Sequence, residues 1–585
     1  MAIPQLKRKF GVGAAGMLGL AICACSGEPG GQGSDVGPVL PGSELSVRTG
    51  LAGRLTRDQH AHIVQDVLGV QLTEKERSAD GFAVPEEKNS TGLFQNAADG
   101  QPAGDDYPLA FGRLAAAVAG RVDLAGLGLD AAPCAGEVAC RIHWIADLGQ
   151  RLFRRPLSER EQAAFASLHA SVVAEGLGDE QAKRSVLEAM LQAPPFVFRL
   201  ERENAAAIGE KRYLDGFELA SRLSFFLWDS APDAQLRALA ESNTLDGSPR
   251  SIMVLREQVL RMLDDPRAHR MTHAFIRDFA ETERASFAGI TPELRAALSE
   301  SMVASFESHL WQDRGQIKTL FTSTQMALAP SVAALIGITP RSDAIESYAV
   351  SALPERVGWL THPGFIAGFG DADVGKIVHR GISLMVKLMC RQPIRIPDGA
   401  IAVAGSFNQA FANLNERQRS EQRRLMAKPV AEGGSNNPSC WACHSQFEPL
   451  AYGFNRFDAA GRYLGEVDAT GAPLPTDGWM TDDLTLDESA RAPYATMHEF
   501  MALMADSETI QACMAQHFLS FATGRAATAI EHEFSKSVHV EQEKNGGTLH
   551  AMVEAIASSE LFRSTATAQN LLDTGLQPQA PMGGP

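Results

Sequence analysis

Apolar residues along this chain recur at helical spacing far more often than they alternate. After Thr56, which with Gln59 forms a capping box, Ile63, Val64, Val67 and Leu68 fall at helical spacing and Gly69 supplies a stop. Ser158 with Glu161 repeats the device ahead of Phe165, Leu168 and Val172, and Asp215 with Glu218 does so before Leu219, Leu223, Phe226 and Leu227. Alternation of period two is scarce. The pattern predicts a mainly α chain of several small helical bundles, with long Gly/Pro-rich loops at 80–105, 395–440 and 465–480. Leu187-Glu188-Ala189-Met190 before Phe196 is echoed by Val553-Glu554-Ala555-Ile556 before Phe562, which reads as two similar helix ends and not as a solenoid. His60 and His62 read as solvated positions on the first helix. Arg154, Arg155 and Pro156 read as a structural joint between two helices.

The N-terminus departs from this pattern. Lys7, Arg8 and Lys9 precede an uncharged apolar run from Phe10 to Ala24, too short for a stable bilayer span and suited to the core of a signal peptide. The run ends Ile22-Cys23-Ala24-Cys25-Ser26, which resembles a bacterial lipobox. Cleavage before Cys25 would leave a lipidated cysteine, and Ser26 in place of aspartate after it implies the outer membrane by the usual sorting rule; a plain secreted protein cut nearby is the alternative. Residues 26–45, with six Gly and three Pro, read as a tether. No later segment has the long uncharged run of a membrane-spanning helix, so membrane contact is expected through lipid only.

Composition narrows the function classes. The 585 residues are 45% hydrophobic and 21% charged, which is ordinary for a globular chain and enough for about four modules. Lys and Arg number 53 against 70 Asp and Glu, a net charge of −17; loss of Lys7, Arg8 and Lys9 with the leader takes it to −20. Such a surface repels phosphate backbones and disfavours nucleic acid as a partner. Gly11, Gly13 and Gly16 spell a dinucleotide motif, but inside the leader and without a preceding strand. Gly370 with Gly375-Lys376 only approaches a phosphate loop, since Ile377 stands where a magnesium-binding hydroxyl belongs and Asp371 and Asp373 would repel phosphate. The chain contains neither H-E-x-x-H nor G-x-S-x-G, which leaves zinc-protease and serine-hydrolase chemistry without a motif.

The specific signal is Cys440-Trp441-Ala442-Cys443-His444, a C-x-x-C-H motif. Three residues apart on a helical turn, two thiols can form thioethers with the vinyl groups of one haem, and the adjacent histidine can bind its iron. A zinc site would need a second ligand pair at suitable spacing, a thioredoxin-like pair would need a βαβ setting, and a disulfide between Cys440 and Cys443 would give His444 no role; covalent haem c is the favoured reading. With Cys23 in the leader, Cys25 acylated and Cys440 and Cys443 assigned to haem, four of the eight cysteines remain, and an oxidising compartment favours pairing them. Cys134 with Cys140 and Cys390 with Cys513 is the preferred arrangement of three, because the first pair closes a short loop; buried free thiols are the alternative.

The surroundings of that motif, CWACHSQFEPLAYGFNRFDAAGRY, resemble the haem-motif region of a multi-module family of planctomycetes, myxobacteria and marine proteobacteria, whose parts are domains of unknown function beside cytochrome c-type motifs. RLTRDQHAHIVQDVLG resembles the family's opening helix, RLFRRPLSEREQ its Arg-Arg-Pro-Leu module, and LDGFELASRLSFFLWDSAPD its central module. GWLTHPGFIA and HRGISLMVKLMC resemble the lead-in to the haem module, and CMAQHFLSFATGR with MVEAIASSELFR its closing one, so the likeness runs over about residues 54–563. Two positions depart from the family: Glu448 precedes Pro449-Leu450-Ala451 where Asp or Asn before Pro-Leu-Gly is usual, and Asn455 stands where an acidic residue is usual. The expected organisation is a leader (1–24), a tether (25–46), an N-terminal helical module (47–130), the Arg-Arg-Pro-Leu module (131–205), a central helical module (206–345), the haem module (346–485), a closing helical module (486–570) and a flexible tail (571–585).

The resemblance implies fold and cofactor but no distal iron ligand. Met480, in a Gly478-Trp479-Met480 turn 36 residues after His444, is the favoured sixth ligand; Met497, His498, His379 and an open or water-occupied position are the alternatives. Asp458 and Arg462 read as a helix-orienting ion pair before a contact to a haem propionate. The expected function is single-electron transfer with a periplasmic redox partner. A haem enzyme with an open iron site, acting with peroxide or oxygen on an organic substrate, and a scaffold with structural haem are the other two classes.

Overall fold

The computed structural model describes residues 52–77, 94–96, 107–127, 137–201, 212–369, 376–391, 407–432, 439–480, 491–525 and 529–565, apart from single positions at 286, 288, 313 and 408. The leader, Cys25, the tether, Cys134, the 370–375 glycine segment and the 571–585 tail lie outside the described residues. The described chain is mainly α. Its sheets are three two-stranded antiparallel pairs.

Strand β1 (Ala52–Arg54) leads into α1 (Arg57–Leu68), which opens with the Thr56/Gln59 capping box and ends at Gly69, whose φ of 70° takes the left-handed turn that stops the helix. Helices α2 (Tyr107–Arg121), α3 (Glu137–Phe153), α4 (Glu159–Ala174) and α5 (Gly178–Gln192) follow, and β2 (Phe198–Leu200) returns to pair with β1. Ile63, Val64, Leu114, Ile145, Leu148, Leu187 and Phe196 meet in one apolar core. The turn between α3 and α4 is pinned by Arg154. Its backbone sits at φ 61°, and its buried guanidinium donates to the carbonyls of Leu152, Pro195, Phe196 and Phe198, while Arg155 pairs with Glu161.

His60 is not solvated, and His62 is half-buried. His60 is 3% exposed and packs edge-on against Phe196 and tilted against Phe111, while the His62 ring reaches Asp229 at 3.2 Å. The rings that cover His60 come from residues 51 and 136 positions downstream, beyond the reach of a local pattern. Burial pushes the His60 imidazole down to about 4, and its Nδ1 has no partner. The lowered pKa therefore adds no proton-linked cost above pH 6.5 and destabilises the fold as pH falls from 6.5 towards 4, where the unfolded ring binds a proton and the folded one does not. His60→Phe is expected to reduce the loss of urea stability across that window; an unchanged pH slope would contradict this account of the ring.

The second and larger core runs from Phe94 to Phe562 and unites the central segment, the segment with the C-x-x-C-H motif and the closing segment. It is built from α6 (Gly216–Trp228), α7 (Ile252–Leu263), α8 (His269–Ala280), α9 (Pro292–Glu307), α10 (Lys376–Leu388), α12 (Ser439–Ala451), α13 (Met497–Asp506), α14 (Glu508–Thr523), α15 (Ala529–Lys544) and α16 (Leu549–Ser558), while α11 (Glu416–Ala427) packs on α12 and adds no residue to this core. Phe275 of α8 stacks on Phe518 of α14 with centroids 4.0 Å apart, and Phe279 stacks on Trp359. The end of the described chain closes back on α6: Arg222 donates to the carbonyls of Phe562 and Ser564, and Arg563 to that of Gly247. A smaller core carries the hairpin of β3 (Gln325–Leu328) and β4 (Glu346–Ala349) against α9.

The stretch 395–440, expected as a loop, contains α11. Asn415 and Gln418 form a fourth capping box, and the buried face of the helix is Arg417, Ser420 and Arg423. A helix that buries polar residues has no apolar stripe for periodicity to detect.

Candidate functional site

Helix α12 carries Cys440, Cys443 and His444 within its first two turns. Three neighbours hold it. Helix α10 crosses it so closely that a Cβ at Gly381 would lie 2.2 Å from the Phe447 carbonyl oxygen, so glycine is what permits backbone to meet backbone. From β5 (Gly478–Met480), paired with β6 (Ala492–Tyr494), Gly478 makes a similar approach to the Pro449 carbonyl, which accepts the Tyr494 hydroxyl proton. Helix α11 covers the side that bears Glu448 and Tyr452.

His444 is 3% exposed, and its Nδ1 lies 2.8 Å from Glu448 Oε1, one helical turn on. Neither Glu448 nor Ser420 has exposed surface. Arg423 pairs with Glu448 Oε1, the Ser420 hydroxyl donates to Oε2, and the Tyr452 hydroxyl, 2.6 Å from Ser420 Oγ, donates to that oxygen in turn. Arg417 lies 3.6 Å over the Tyr452 ring, so α11 contributes two cations and a hydroxyl to one buried polar cluster. Burial alone would push the Glu448 carboxyl up; the Arg423 charge, His444 and Ser420 outweigh it and hold the group down at about 2. An ionised carboxylate only accepts, so the Nδ1 of His444 carries a proton, and the neutral ring would have its Nε2 lone pair open to a metal. A histidine oriented in this way by a buried carboxylate, on the helix that holds both cysteines of the motif, is a donor set that could hold haem iron.

The other sequence candidates fall in several places. Met480 is 4% exposed and belongs to the main core, while the intervening Trp479 turns to Trp441 and Tyr452. Met497 is buried against Gly453, and His498 is exposed. The Nδ1 of His379 on α10 bonds the Phe369 carbonyl at 2.9 Å. Asp458 and Arg462 form an ion pair at 2.7 Å, with Asp458 also accepting from the backbone of Ala460 and Arg462, so the pair shapes its own turn. Arg380 fixes that turn to α10 through the carbonyls of Phe454, Phe457 and Asp458. Cys390, just past α10, is bonded to Cys513 of α14 with Cα atoms 5.4 Å apart, and His517 Nε2 lies 3.6 and 3.4 Å from the two sulfurs. Cys140 is disulfide-bonded.

Sequence reasoning singled out Glu448 only as a departure from the family. The i,i+4 spacing from His444 was its one local signal; Ser420 and Arg423 lie 28 and 25 residues before Glu448, on a helix read as loop.

Four families match successive parts of the chain, each described as a protein of unknown function: DUF1595 over residues 140–201, DUF1592 over 214–338, DUF1588 over 356–466 and DUF1585 over 492–562. They are the domains of the multi-domain, cytochrome-associated kind that the sequence resembles, and α11 and α12 lie within the third. No curated protein and no solved structure matches the chain. Among the described residues no helix is long and apolar enough to cross a membrane.

Proposed function

We propose that this chain is an exported c-type cytochrome lipoprotein in which Cys440 and Cys443 hold one haem c covalently and His444 binds its iron through Nε2. It passes single electrons to and from a periplasmic redox partner. The single observation that carries this reading is the bond from His444 Nδ1 to buried Glu448, which leaves Nε2 as the donor on the helix that bears both cysteines. Bound haem would supply a one-electron ferric/ferrous couple. The chain's own part is to attach it through two thiols, to hold one imidazole in a fixed tautomer, and to keep water from that side of the ring by packing α11 over it. Cys25 anchors the protein to the outer membrane by lipid, with an acidic body that neither inserts into the bilayer nor binds nucleic acid.

In this reading Met480 would supply a thioether to the iron, which favours the ferrous form and shuts out small ligands. The purified ferric protein is then expected to show the weak near-red charge-transfer band of methionine ligation, lost in Met480→Ala, and the reduced protein to resist carbon monoxide. A wild-type spectrum without that band, with rapid binding of carbon monoxide or peroxide, would replace the carrier by the haem enzyme with an open iron site.

A further inference from the structure

A charged residue with no exposed surface needs a reason beyond joining two helices, because a well-packed apolar pair would hold α11 on α12 as well. Glu448 divides its carboxylate between groups of different kind. Oε1 is shared by Arg423 and His444 Nδ1, and Oε2 takes the Ser420 proton. Arg423 and Ser420 keep it charged, and the dry surroundings make its hydrogen bond to the imidazole electrostatically strong. A carboxylate acceptor on Nδ1–H fixes the rotation of the ring and raises the basicity of the opposite nitrogen.

We infer that Glu448 is a positioning residue that sets the redox potential: through His444 it pushes electron density onto Nε2 and favours the ferric state, and Ser420 tempers that push by occupying the other carboxylate oxygen. The inference rests on the reading of His444 as the iron ligand. His444 would then work against the thioether proposed for Met480, and the potential would be set by the balance of the two.

The test uses the full-length holoprotein, with covalent haem first established by its pyridine haemochrome spectrum and the midpoint potential then measured by equilibrium titration. Glu448→Gln keeps the shape and an amide acceptor but removes the charge, and is expected to retain haem while shifting the ferrous-to-ferric ratio at a fixed poise at least tenfold towards ferrous, a rise of about 59 mV for one electron. Ser420→Ala removes the competing donor and is expected to move the potential the other way. A group with only a structural role loosens the site in both variants and gives shifts of one sign or none, and either result overturns the inference. If Glu448→Gln does not accumulate, Ser420→Ala decides alone: a lower potential supports the assignment, and an unchanged or higher one overturns it. Absence of covalent haem in the wild type is a different failure, visible before any potential is measured, and removes the haem reading together with this inference.

Discussion

Cys440→Ala together with Cys443→Ala is expected to abolish haem staining after denaturing electrophoresis of protein made with c-type maturation machinery, from a full band in wild type to none. Only a covalent bond survives the detergent, and only thiols form thioethers to the vinyl groups, so His444 alone cannot retain the cofactor on the gel. The folded chain should persist, because α12 is held by His444, Phe447, Glu448, Leu450 and Ala451, all of which are buried and none of which is altered. Each single substitution leaves one possible thioether and should reduce the band without removing it. The same stain locates the protein: the band should fractionate with membranes and move to the soluble periplasm in Cys25→Ser, since one lipid anchor and a body of net charge −20 leave nothing else to bind an anionic bilayer. Staining that survives the double substitution would sink covalent attachment, and unchanged membrane association of Cys25→Ser would sink the anchor.

What could be read from the sequence divides along a physical line. Helix starts at Thr56, Ser158 and Asp215 are encoded within four residues by side chains that satisfy their own helix's orphan amides, and each forms as expected. The C-x-x-C-H motif is equally local. Helix α11 is not, because its buried face consists of Arg417, Ser420 and Arg423, and its burial has meaning only once Glu448 and Tyr452 are placed opposite. His60 was misread for the same reason: histidine is amphipathic, and its surroundings are decided by Phe111 and Phe196 from distant elements. Strands β5 and β6 are three residues each, too short for a period of two to register, yet they hold Gly478 against the end of α12. The half of the site that would bind the proposed cofactor was thus legible as a motif. The half that orients it arises from contact between helices.

Loss of the Cys390–Cys513 bond should be the most destabilising change outside the C-x-x-C-H motif. The bond closes a loop of 123 residues that contains α11, α12 and the β5–β6 pair, and for loops of that size the loss of chain entropy in the unfolded state is worth about 4 to 5 kcal/mol at most. Cys513 has no exposed surface on α14, whose residues from Ile510 to Thr523 are all buried, so its replacement is felt directly by the main core. Alanine is the appropriate substitute at both positions, since serine would bury hydroxyls beside a His517 Nε2 already engaged with the Lys387 carbonyl at 2.6 Å. In the Cys390→Ala, Cys513→Ala variant the unfolding transition of the larger core is expected to fall sharply in temperature. The transition of the α1–α5 core should stay in place, because none of its residues belongs to the bridged segment. Reducing agent should reproduce the fall in wild type and have no further effect on that core in the variant. A variant as stable as wild type would mean that the packing of α10, α12 and α14 holds the segment without the bond, and that the bridge contributes little beyond the contacts around it.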